Sequence, residues 1–97
     1  MKTYYVYILQ CADDTLYTGI TSNLTKRLES HHAGTYKNSY TSKRRPVRLV
    51  FYCEFTDPNM AIDTEKQIKK WSQSKKRALI AGDYEALPNL AKKQFPQ

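Results

Sequence analysis

Between Tyr4 and Cys11 every residue except Gln10 is aromatic, β-branched, aliphatic or cysteine. Leu16 to Ile20 resumes that character after the polar Ala12-Asp13-Asp14-Thr15. Two short β-formers around an Asp-Asp turn predict a β-hairpin. With an odd number of loop residues, odd positions pair with odd ones, so Tyr5, Tyr7 and Leu9 share a face with Tyr17 and Gly19. Both faces of both runs are apolar, which predicts cover on both sides of the sheet.

The pattern then changes period. Thr21-Ser22-Asn23 offers N-caps for a helix over Leu24 to Ala33, which Gly34 ends. The polar segment "TYKNSYTSKRRP" reads as a loop, and Val47 to Phe55 as a third strand. Asp57-Pro58 predicts a helix start, the carboxylate capping and the proline at the first turn, with the helix running to about Trp71. Ser74 is expected to cap a shorter helix that stops near Gly82. The expected fold is α+β: a small, about three-stranded, mostly antiparallel sheet flanked by helices, in the order β-β-α-β-α-α. One domain over 1–82 and a weakly patterned tail over 83–97 follow.

Three polar residues fall on inward helical arcs. Leu24 and Leu28 define the inward stripe of the first helix, and at ~100° per residue His31 lies about 20° and Arg27 about 60° from Leu24. Their plain structural roles are a snorkelling arginine and a satisfied boundary histidine; His32 points away. On the second helix Ala61, Ile62 and Ile68 mark the apolar arc, and Glu65 falls inside it while Asp63 points outward. A carboxylate there requires a cation, either in an ion pair with Arg27 or as a metal. A single carboxylate suffices for Mg²⁺, which keeps several waters and takes further ligands from phosphate.

Composition sharpens this reading. The 97 residues carry sixteen Lys and Arg against nine Asp and Glu, a net charge of +7, which favours a polyanionic partner. "SKRRPVR" and the segment Lys66 to Arg77 hold most of that charge, so Lys43, Arg44, Arg45, Lys66, Lys69 and Lys70 are candidate phosphate contacts. Cys11 and Cys53 are too few and too far apart for a disulfide framework or zinc site and read as buried, reduced thiols. No signal-peptide region opens the chain and no apolar run approaches the ~20 residues that span a bilayer, so the expected location is cytoplasmic.

"YVY" (Tyr5-Val6-Tyr7) and "YTG" (Tyr17-Thr18-Gly19), followed by Arg27, His31 and the later helical Glu65, resemble the GIY-YIG nuclease domain. The runs Tyr4 to Thr21, Arg44 to Tyr52 and Ala61 to Lys69 resemble the small stand-alone bacterial members, over roughly residues 3 to 80. Tyr5-Val6 stands where Gly-Ile is typical and Thr18 where Ile is typical. The resemblance implies a metal-dependent endonuclease with Tyr7, Tyr17, Arg27, His31 and Glu65 as catalytic residues. Glu65 would hold one Mg²⁺ or Mn²⁺. It also implies a nucleic-acid partner, DNA favoured over RNA, with no membrane and no obligate protein partner. The alternative is a nucleic-acid-binding module that keeps the fold with little chemistry, and an RNA-directed enzyme is a third reading.

Overall fold

The computed structural model describes residues 2–83. The order is β1 (Tyr4–Gln10), β2 (Leu16–Thr21), α1 (Leu24–Ala33), β3 (Arg48–Phe55), α2 (Pro58–Lys69) and α3 (Gln73–Ala81). This is the expected β-β-α-β-α-α arrangement. The expected tail, 83–97, lies outside the described residues apart from Asp83.

β1 is the central strand of an antiparallel sheet ordered β2-β1-β3. Across the hairpin Tyr7 faces Gly19 and Leu9 faces Tyr17, the odd-with-odd pairing the turn length demands. The turn is shaped by Asp13, whose carboxylate accepts from the Thr15 amide at 3.2 Å and hydroxyl at 2.6 Å, and by Asp14 at φ 66°. A short polar side chain tolerates that left-handed backbone better than a branched one. The turn is tied down from afar: Gln73 Nε2 and Arg77 Nη2 both donate to the Asp14 carbonyl at 3.1 Å.

The sheet is covered on both faces, as its two-sided apolar pattern requires. Tyr7, Leu9, Cys11 and Val47 pack with Leu24, Leu28 and Leu49 on the α1 side. Val6, Ile8 and Phe55 pack with Ala61, Ile68 and Leu79 on the α2–α3 side. A register shift between Ile8 and Leu9 lets β3 serve both, since Phe51 pairs with Ile8 but Leu49 with Leu9. The extra residue, Val50, joins the α2–α3 core.

Four local expectations are corrected. Ile62 is exposed, and the inward arc of α2 is instead Ala61, Thr64, Glu65 and Ile68. Cys11 is buried as expected, but Cys53 is only partly so, its thiol donating to the Val6 carbonyl at 3.7 Å. Val47 is buried just before β3 rather than inside it. The second helix ends at Lys69, and Ser72, not Ser74, caps α3, its hydroxyl accepting from the Lys75 amide at 3.3 Å. Ser74 is already the second residue of α3, with helical backbone, and so does not occupy the cap position. Ser72→Ala should therefore lower stability by about 1 kcal/mol and Ser74→Ala by much less, read from urea unfolding midpoints.

Candidate active site

Tyr7 is fully buried on the central strand with its ring on the α1 side. Directly across the hairpin, a Cβ on Gly19 would overlap the Tyr7 hydroxyl and ring. The glycine of "YTG" is thus the floor on which the tyrosine lies. From there the Tyr7 hydroxyl reaches His31 Nε2 at 2.8 Å, and His31 Nδ1 meets Thr41 Oγ1 at 2.8 Å. Both neighbours are hydroxyls, so either imidazole tautomer completes the chain, one ring nitrogen donating and the other accepting.

Burial first, and the neighbouring Tyr17 second, push the Tyr7 phenol up to about 12, against the opposing pull of the Arg27 guanidinium. The Glu65 charge adds to the upward push. Burial, then the positive charges of Arg27 and His32, hold His31 below its ordinary value. At neutral pH Tyr7 is therefore protonated and His31 uncharged. Arg27, partly buried one turn before His31 on α1, acts electrostatically on both.

Tyr17 completes the aromatic cluster. Its ring lies edge-on to His31 with centroids 5.4 Å apart and tilted to Tyr7 at 6.4 Å. On its outer side Tyr40 stacks at 6.1 Å and 22°. Arg44 covers Tyr40 at 3.8 Å, donates to the Tyr40 carbonyl at 2.9 Å and pairs with Asp13 at 3.1 Å. Arg45 donates to the Ser42 and His32 carbonyls, both at 3.2 Å, and lies against Gly34. Of the loop cations expected at phosphates, Arg44 and Arg45 are thus engaged in holding the loop and the end of α1, and Lys43 is exposed. Carbonyls left over at a helix end and in an irregular loop need such donors.

Glu65 enters from the opposite layer. It is buried to 8% exposure, and its partner is Lys69 at 2.6 Å rather than Arg27. The i,i+4 spacing explains the choice: Lys69 stands on the same helical face, whereas Arg27 is across the sheet. The two layers meet at the edge strand β2. There Lys69 and Lys76 line a cavity of about 240 Å³ with Leu16, Tyr17, Thr18 and Tyr40. The bond to Glu65, and the nearby Tyr17, raise the Lys69 pKa. A second groove of about 240 Å³ runs past Lys26, Arg27 and Tyr36. A larger cavity of about 340 Å³, between Tyr5, Tyr52 and the start of α1, contains none of the expected site residues. Lys66 and Lys70 are exposed on α2 and just beyond it.

The structure therefore brings Tyr7, Tyr17 and His31 into contact and sets Arg27 close to Tyr7 and His31, while Glu65 stays in the opposite layer on Lys69 and acts on Tyr7 only through its charge. Among the described residues no group of three or more His, Cys, Asp or Glu side chains could hold a metal. Glu65 alone fits only an ion that keeps most of its water shell, and that ion would have to take the carboxylate from Lys69. Sequence patterning missed Tyr40 and Thr41, which lie in a polar loop without periodicity.

A three-stranded sheet with this β-β-α-β-α-α order, a tyrosine over a glycine and an arginine–histidine turn on α1 is the framework of a nuclease domain. The chain belongs to the GIY-YIG family: the model of the GIY-YIG catalytic domain matches residues 3–78. That family implies a nucleic-acid substrate. The chain is 49% identical over 81 residues to a UPF0213 protein of Syntrophus aciditrophicus, covering 82% of this chain and 92% of that one. It is 44% identical over 80 residues to one of Natronomonas pharaonis, covering 82% and 93%. The solution structure of a UPF0213 protein from Bacillus halodurans superposes with a TM-score of 0.56 at 34% identity, covering 93% of this chain and 95% of that one. A solution structure from E. faecalis gives 0.61 at 29% identity, covering 92% and 94%.

Two outcomes follow from the geometry. Gly19→Ala should destabilise the fold by about 1–3 kcal/mol, because the added methyl collides with a ring that has nowhere to move. Calorimetry or urea unfolding reads this directly. The second concerns pH. The folded state keeps the His31 pKa below 6.5, so its contribution to stability is present above about 6.5 and is lost as pH falls through the folded value. The urea midpoint should drop between pH 7.5 and 5.0, and His31→Gln should flatten that dependence.

Proposed function

We propose that this chain is a metal-dependent endonuclease that hydrolyses phosphodiester bonds in DNA, structured or single-stranded, and acts in the cytoplasm. The carrying observation is two phenols and an imidazole in contact beside a guanidinium, with the charge of a buried carboxylate in the opposite layer felt by the same Tyr7 phenol. In this reading Arg27 binds a non-bridging phosphate oxygen through its guanidinium fork. Tyr7, buried and protonated, orders the cluster beneath the phosphate through its bond to His31. Tyr17, at the lip of the β2 cleft, takes the proton from the attacking water as general base in its phenolate form, which the Arg27 guanidinium and a bound cation would favour.

Glu65 is the residue to hold one Mg²⁺ or Mn²⁺. When bound, such an ion supplies charge stabilisation at the leaving oxygen. Lys43, Lys66 and Lys70 supply exposed positive charge for the phosphate backbone, with affinity that falls steeply with salt and depends little on sequence. A second reading, a nucleic-acid-binding module with little chemistry, is favoured by one observation: Lys69 already neutralises Glu65.

The test uses the purified chain with labelled single-stranded, duplex and branched DNA in Mg²⁺ or Mn²⁺. Tyr17→Phe and Glu65→Ala should each lose cleavage by about 10²-fold or more, with DNA binding nearly intact. Arg27→Ala should lose cleavage and part of the binding. Cleavage by pure Glu65→Ala protein at the wild-type rate would sink the single-ion mechanism, and DNA binding without cleavage by the wild type would establish the second reading.

A further inference from the structure

Among the described residues, the cleft at the β2 edge holds more positive charge than its surroundings neutralise. Lys69 and Lys76 face the same cavity of about 240 Å³ from α2 and α3. Among the described residues the ion pairs are Arg44–Asp13 and Lys69–Glu65, so Lys76 has no carboxylate partner there. It is partly buried, and desolvation together with the like charge of Lys69 holds its pKa below the ordinary lysine value. Among the described residues, two ammonium groups lining one cleft with one carboxylate leave one charge unmatched. Folding gains nothing from that arrangement.

The remaining walls narrow what fits. Tyr17 and Tyr40 stack on one another, and Arg44 covers Tyr40. The ring faces inside this stack are engaged, so the wall offers no free face to a flat apolar ligand. A compact anion with several acceptor oxygens suits the two ammonium groups that line the cavity.

The geometry points to this cleft as a phosphate subsite, with Lys76 as its anchor and Lys69 as its second cation, next to the centre formed by Tyr7, Tyr17 and Arg27. It rests on the nuclease reading in taking a second phosphate of the same strand, adjacent to the one cleaved. Tyr17 then stands between the two phosphates. Lys69 shares its charge between Glu65 and that second phosphate. The strand is held beside its reacting group rather than only at it, which fixes the scissile bond in position.

Inorganic phosphate is the probe, titrated into the isotope-labelled full chain at constant ionic strength with chloride as control, and followed by amide chemical shifts. Saturating shifts should appear at Leu16, Tyr17, Thr18 and Lys76. Lys76→Met, which keeps the bulk of the side chain, should weaken that saturation about tenfold, the loss expected of one charge-assisted contact. Lys69→Met should weaken it further, since it also leaves Glu65 unneutralised beside the anion. Lys76→Gln repeats the test should the methionine variant unfold. Shifts at these positions that do not saturate, that chloride reproduces, or that the Lys76 variants leave unchanged would overturn the proposal. The readout is independent of hydrolysis: a failure of Glu65→Ala to lose cleavage would remove the single-ion mechanism and leave the phosphate shifts in place. Loss of the shifts with Glu65-dependent cleavage intact would remove only the subsite.

Discussion

The bond between the Tyr7 hydroxyl and the His31 imidazole joins the sheet to α1 in the interior, and most of the site depends on it. A buried phenol must find a partner, because an unpaired hydroxyl there costs about 1–3 kcal/mol. His31 is that partner, and it needs one in turn, which Thr41 supplies. The requirement runs outward: the loop must bring Thr41 inside, α1 must present His31 inward, and Gly19 must leave room for the ring. One polar pair inside an apolar layer thus fixes strand, helix and loop relative to each other.

Two-sided cover explains why the chemistry collects at an edge. Helices on both faces of a three-stranded sheet keep groups from α1 and α2 apart except beyond a border strand. β2 is that strand, and it carries Tyr17 toward one layer and Thr18 toward the other. The bulge in β3 serves the same economy, turning Leu49 to the α1 side while Val50 and Phe51 pack on the other.

The framework was legible in the sequence because its signals are local. Hairpin parity, the Asn23 cap, Gly34 and the Asp57-Pro58 start each rest on a few neighbouring residues, and each matches the structure. Helical periodicity also found His31 and Glu65 on inward arcs. It misplaced Ile62, because a narrow arc on a twelve-residue helix was filled instead by Thr64 and Glu65. It offered Arg27 or a metal as the cation for Glu65 and missed Lys69, because pairing across a sheet depends on layer order, which periodicity does not encode. Tyr40 and Thr41 were illegible: an irregular loop has no repeat from which the direction of a side chain can be inferred.

Those two residues are consecutive, yet they serve different neighbours. Tyr40 lies outside against Tyr17, and Thr41 turns inside to His31. The segment from Gly34 to Val47 therefore works as a measured spacer, its closing end held by two adjacent arginines, Arg45 on the close of α1 and Arg44 on the hairpin turn. Many side chains along it are free to vary, because the backbone and the two arginines set its course. Its residue count is not free: an insertion between Thr41 and the two arginines would pull Tyr40 and Thr41 away from Tyr17 and His31. Drift in this family of folds should accordingly be tolerated there as substitution and resisted as insertion or deletion, the reverse of what surface loops ordinarily allow.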